Sequence, residues 1–204
     1  DLLLPNVYAY TRLGPEAREH AKLRGADNAL LWSESHDYAG RMNFWDRGDM
    51  LNNFTPASQI AAFFWQCYQY TEDKEFLREK AYPFLKGAAE FYLQTLQWDA
   101  EKGEYFIFPS QPYECPETNQ LRNPITDLGM IQAVFRACLE SSRILETDAA
   151  KRAEWEKVLA HLWAPPSMDL PEVGKVFASA YYPDGSVYPS LKGTETQEEI
   201  LRKA

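Results

Sequence analysis

Apolar residues recur at helical spacing after Thr55. Ile60, Phe63, Phe64, Cys67 and Tyr68 fall at i, i+3, i+4, i+7 and i+8, one face of a helix. Thr55 is the expected N-cap, with Pro56 in the first helical position. A second helical signal starts near Asp73, is interrupted at Tyr82-Pro83 and resumes through Phe84, Ala88, Phe91, Tyr92 and Leu96. Pro83 either kinks one long helix or starts a new one. Two apolar faces with a short connector predict that 56–70 and 84–97 pack as an antiparallel hairpin through Phe63, Phe64, Cys67, Ala88, Phe91 and Tyr92. The period returns at Thr126, with Ile131, Val134, Phe135, Cys138 and Leu145 on one side, and a further helix is expected from about Asp148 to Trp163. Pro15 to Arg24 reads as a short helix stopped by Gly25.

Between these helices the period fails. Residues 26–54 read as a long ordered loop carrying Trp32, His36, Asp37, Trp45, Asp46, Asp49 and Asn52, and such loops are often functional. Asp99 to Gly103 is a turn, Glu104 to Pro109 a short extended run, and Ser110 to Pro124 a polar, proline-rich loop. After Pro165-Pro166 the chain reads as loop, with a turn at Tyr182 to Ser186, and the last ten residues read as the beginning of a helix. The expected fold is all-α, built from helical hairpins with long aromatic loops between them.

Composition narrows the class. The 204 residues fit one domain or a large piece of one, and 45% hydrophobic with 25% charged residues is globular rather than disordered. A net charge of −9 argues against nucleic acid or an anionic membrane as the partner. No apolar run approaches the ~20 residues that span a bilayer. Of 3 cysteines, Cys67 and Cys138 fall in apolar helical patterns and read as core fillers. His20 and His161 read as surface helix residues. The start, Asp1-Leu-Leu-Leu-Pro5, lacks a basic n-region and reads as the start of a processed or excised segment rather than a signal peptide. Aromatic residues reach 14%, which suits either a large core or rings that stack on sugar C–H faces.

Two loops could carry chemistry. Glu114 lies between Tyr113 and Cys115, with Pro112 and Pro116 restricting the backbone on either side. A carboxyl partly desolvated by an aromatic neighbour has the raised pKa that a general acid needs at neutral pH. The plainer reading, a solvated loop carboxylate, stands beside it, and Glu117 is a weaker candidate in the same loop. Glu34, His36, Asp37, Asp46, Asp49 and Asn52 could bind sugar hydroxyls or a cation, or simply make caps and turns. No spacing matches a zinc or calcium site, so no metal is expected. No cofactor is expected either, because there is no Gly-rich phosphate loop, nucleophile elbow or Cys–His pairing. Asn53-Phe54-Thr55 fits a glycosylation sequon.

Three stretches carry a resemblance: Asn53-Phe-Thr-Pro56, Tyr70-Thr-Glu-Asp-Lys-Glu-Phe-Leu77 and Ala81-Tyr-Pro-Phe-Leu-Lys-Gly-Ala-Ala-Glu-Phe91. They resemble the six-hairpin glycosidases, whose catalytic domain is an (α/α)6 barrel, and most nearly glycoside hydrolase family 95, the inverting α-L-fucosidases and relatives. In that family a short strand leads to a Pro-Ser-x-Ser-Pro-Glu loop carrying the general acid. The matching positions are Pro109, Ser110, Gln111, Pro112, Tyr113 and Glu114, and Thr126-Asp127 matches the Thr-x-Asp opening of the next family helix. Pro112-Tyr113 departs from the family's Ser-Pro, and no Asn follows Glu114. The upstream asparagine motif that positions the attacking water and the downstream aspartate motif have no match. The stretch from Ala21 to Glu34 is also similar to barrel loops of the family 65 disaccharide phosphorylases.

The resemblance spans roughly residues 15–165 and implies that 1–204 is part of a glycosidase catalytic domain. It implies removal of a terminal α-linked sugar, fucose- or galactose-like, with inversion. Glu114 would be the general acid, and Trp32, His36, Asp37, Trp45 and Asn52 would line the substrate cleft. The partners expected are an oligosaccharide or glycoside and the rest of the catalytic domain. The expected location is extracellular or periplasmic. Twelve helices of about 12 residues with such loops exceed this length, so the segment alone should be weakly active or inactive. A related phosphorylase and a non-catalytic carbohydrate-binding or structural helical fragment are the alternatives.

Overall fold

The computed structural model describes residues 14–32, 52–112, 118 and 120–188. The described chain is helical with three short hairpins. Helix α1 is Gly14–Leu23, α2 Thr55–Thr71, α3 Lys74–Phe76, α4 Tyr82–Thr95, α5 Ile125–Ile144 and α6 Ala149–His161. Hairpin β1–β2 pairs Gln97–Asp99 with Glu104–Phe106, β3–β4 pairs Ser167–Leu170 with Gly174–Phe177, and β5–β6 pairs Ala180–Tyr181 with Val187–Tyr188, all antiparallel. The two later hairpins correct the expectation of plain loop after Pro166. Their strands, of two to four residues each, are too short to show alternation in the sequence.

The expected hairpin forms: α2 packs on α4, and both pack on α5, which packs in turn on α6. Phe64 is fully buried and stacks on Phe84 with centroids 4.3 Å apart and an interplanar angle of 10°. Phe63, expected in the same face, is only half-buried. Pro83 sits inside one continuous helical run: Lys74–Phe76, Leu77–Ala81 and Tyr82–Thr95 follow without a gap, and Phe76, Leu77, Ala81 and Tyr82 all keep right-handed helical backbone. Leu77–Ala81 is a π-helical stretch within that run, and the Tyr82 N–H donates to the Leu77 carbonyl. A widened turn at that point accommodates a residue that has no N–H and whose ring crowds the preceding turn. Asp73 caps the short helix before it, accepting from the Glu75 and Phe76 N–H groups.

One apolar cluster joins Leu31, Leu85, Phe91, Phe135 and Trp155, and a second joins Leu30, Trp32, Phe64, Leu77 and Phe84. Residues 26–32 are threaded between α1 and α4. Leu31 N–H donates to the Ala17 carbonyl and Leu30 N–H to that of Gly87. Gly87 permits this approach, since a Cβ there would meet Leu30 Cδ1 at 2.4 Å. His20 corrects its expected surface placement: it is 4% exposed, with Arg24 3.3 Å from its Nε2. Cys67 and Cys138 are buried free thiols, as their patterns predict.

Candidate functional site

The chain reaches the proline-rich loop through β1–β2. The end of α6 holds that hairpin from the side, where the Trp163 N–H donates to the Tyr105 carbonyl at 2.9 Å. Ile107 is buried, and Asn123 grips it twice: Asn123 Oδ1 accepts from the Ile107 N–H at 2.9 Å, and the Asn123 N–H donates to the Ile107 carbonyl at 3.0 Å. Asn123 sits at φ 50°, a left-handed conformation that Asn tolerates better than most residues. Past the cis Phe108-Pro109 peptide, Ser110 and Leu121 exchange two backbone hydrogen bonds at 2.9 and 3.0 Å. The chain between them therefore leaves and returns at one point. Further bonds fix this root: Gln111 N–H to the Asn52 carbonyl, the paired Arg122–Tyr181 exchange, and Ile125 N–H to the Ser179 carbonyl.

Beneath the root lies Asp127, in the first turn of α5 and with no exposed surface. Its Oδ1 accepts from Thr55 Oγ1 at 2.8 Å and its Oδ2 from the Ser110 hydroxyl. Burial pushes its carboxyl up to about 6, and the two hydroxyl donors oppose that rise. Thr55 departs from its expected role. Its hydroxyl serves this carboxylate, and the helix it opens has no side-chain cap. The buried carboxylate has the stronger need of a donor.

The flank of the root is cationic and aromatic. The Arg122 guanidinium lies 3.9 Å from the Phe106 ring centroid and 4.8 Å from that of Trp163, and it pairs with Asp99 at 3.6 Å. Lys102 covers Trp163 at 3.8 Å. None of these residues borders the cavity of about 410 Å³ lined by Arg18, Asn28, Tyr82, Lys86, Glu90 and Lys151 among others. There Lys86 and Lys151 are matched to Asp148 and Glu90.

Of the sequence-predicted site residues, Asn52 stands at the root, joined to Gln111. Trp32 is 0% exposed and stacks on Phe84 with centroids 5.3 Å apart, a core placement. Glu114, Glu117, His36, Asp37, Trp45, Glu34, Asp46 and Asp49 lie outside the described residues. Glu114 belongs to the loop whose two ends are the Ser110–Leu121 bridge. Among the described residues no group of three or more His, Cys, Asp or Glu could hold a metal ion, and no helix is long and apolar enough to cross a membrane. Ser110 and Asp127 as a joint escaped the sequence reading. A signal was present: Asp127 begins the stripe Ile131, Val134, Phe135 and Cys138, a carboxylate at the head of an apolar face.

Comparison with known proteins gives a consistent picture. The family model for the glycosyl hydrolase family 95 catalytic domain matches residues 1–175. A kojibiose hydrolase of Flavobacterium johnsoniae is 38% identical over 102 residues, 49% of this chain and 14% of that protein. Alpha-L-fucosidase 2 of Arabidopsis thaliana is 31% identical over 112 residues, 49% of this chain and 13% of that protein. The chain thus spans only a small part of these relatives. Among solved structures, a chain described as a candidate kojibiose phosphorylase from human microbiome superposes with a TM-score of 0.59 at 12% identity, covering 76% of this chain and 24% of that one.

Proposed function

Because this chain belongs to glycosyl hydrolase family 95, as part of an all-α (α/α)6-barrel catalytic domain, we propose that it serves the hydrolysis of a terminal α-linked sugar, fucose- or galactose-like, with inversion. Glu114 protonates the departing glycosidic oxygen. A water on the opposite face attacks, activated by groups outside this chain, with acid and base about 6.5–9.5 Å apart to admit that water. His36, Asp37, Trp45 and Asn52 line the cleft, while Trp32, buried against Phe84, anchors the start of their segment. The observation that carries this reading is the pinned root: the Pro109–Glu114 stretch, which matches the family's acid loop, leaves from a doubly hydrogen-bonded bridge directly after a short strand. The names of the relatives support the bond type, an O-glycosidic bond, more firmly than the sugar. An extracellular or periplasmic location completes the proposal, and cell fractionation checks it.

The test is kinetics of the intact enzyme on an alkyl and an activated aryl glycoside. A general acid contributes about 10²–10⁴-fold, so Glu114→Gln should lose that factor on the alkyl substrate and far less on the aryl one. Glu117→Gln should leave both rates near wild type. Full activity of Glu114→Gln on both substrates overturns the assignment. Turnover that requires inorganic phosphate would make the enzyme a phosphorylase. Sugar binding without turnover in the intact protein would make it a binding module.

A further inference from the structure

We propose that Asp127 is a positioning residue for the acid loop, acting by holding the Ser110 hydroxyl at the loop's root while Thr55 holds the opposite carboxylate oxygen. The inference rests on the reading of Glu114 as general acid. Three separate segments meet on this one side chain: the first residue of α2, the first turn of α5 and the first residue of the bridge that closes the loop. Both carboxylate oxygens are occupied, and Asp127, Ser110 and Gln111 are all 0% exposed. Ser110 is therefore held through its backbone by Leu121 and through its side chain by Asp127. The next residue, Gln111, is held through its N–H by Asn52. Only Pro112 and Tyr113 separate this fixed point from Glu114 in the sequence.

The chemistry argues for more than packing. A buried carboxylate facing hydroxyls alone is costlier than an apolar residue of similar size. Thr55, moreover, withholds its hydroxyl from capping its own helix. Local rules broken in favour of a distant contact are expected where a site must be held in one geometry. A displacement of about 1 Å at a reacting group costs of the order of 10²-fold, whereas substrate binding elsewhere in the cleft is unaffected by it.

The experiment compares Ser110→Ala, Ser110→Thr, Asp127→Asn and Glu114→Gln in the intact enzyme, on the same alkyl and activated aryl glycosides. Ser110→Ala should lower kcat on the alkyl substrate by about 10- to 100-fold with KM within about twofold, and change the aryl rate little. Asp127→Asn should behave alike, and Ser110→Thr, which keeps the hydroxyl, should recover most of the loss. Equal losses on both substrates, or none on either, with Glu114→Gln showing the leaving-group dependence, overturn the positioning role and spare the acid assignment. Loss of that dependence in Glu114→Gln itself overturns both. If Asp127→Asn does not fold, Ser110→Ala and Ser110→Thr decide the matter.

Discussion

Two aspartates hold two polar joints in this molecule by opposite means. At the loop root, Asp127 is fully buried and accepts, among the described residues, from two hydroxyls. At the turn between α5 and α6, Asp148 keeps 27% of its side chain exposed and accepts from the Lys86 ammonium at 2.6 Å and the Tyr82 hydroxyl at 2.8 Å. Burial pushes the first carboxyl up to about 6, while the hydrogen bond from Lys86 holds the second below its ordinary value. One residue type thus serves a buried joint and a part-exposed helix-to-helix clasp. A dry joint fixes direction at a cost in desolvation, and a wet one tolerates motion at little cost.

The largest effect expected in the protein is on neither joint. Phe64→Ala should cost about 3–5 kcal/mol of stability, read as a urea midpoint, because a fully buried ring leaves a cavity. It should leave the contrast between the aspartates intact, since Phe64 touches the apolar seam with Phe84. A larger pH dependence in this variant than in the wild type would show that the joints are not independent of the core.

Next comes Asp127→Ala, which strands the buried Ser110 hydroxyl and removes the partner of the half-buried Thr55 hydroxyl, and should cost about 2–4 kcal/mol. A cost below that of Asp148→Ala would reverse the comparison. The pH window sharpens it further. The native state holds the Asp127 proton more tightly than the unfolded chain, so its contribution is full below about 4 and is lost as pH rises towards about 6. Wild type should therefore lose stability relative to Asp127→Asn across that window and run parallel to it above. Parallel curves throughout would contradict the burial-driven rise.

The smallest effect is at the clasp. Asp148→Asn should cost about 1 kcal/mol or less near neutrality, as a part-exposed ion pair does. Its sign in pH is opposite. The depressed carboxyl adds stability above its unfolded value, lost as pH falls through the native one, so the variant should differ from wild type least in acid. High salt should shrink the difference at Asp148 and leave that at Asp127 unchanged.

Local periodicity was enough to find α2, α4 and α5, because an apolar stripe every three to four residues is written in the order of the residues. The turns at Gly103 and Gly185, both at positive φ, were legible for the same reason: their chemistry is local. The resemblance matched Pro109–Glu114 to the family's acid loop, with Glu114 as the proposed acid. What the sequence could not show was which polar groups meet across it. Thr55 reads as a cap until Asp127, 72 residues away, takes its hydroxyl. Trp32 reads as a cleft ring until Phe84 covers it, His20 as a surface residue until α1 turns it inward, and Gly87 as an unremarked helix position until Leu30 lies against it. Each of these depends on a partner brought near by folding, and burial, desolvation and hydrogen-bond pairing are properties of that neighbourhood rather than of the residue that enters it.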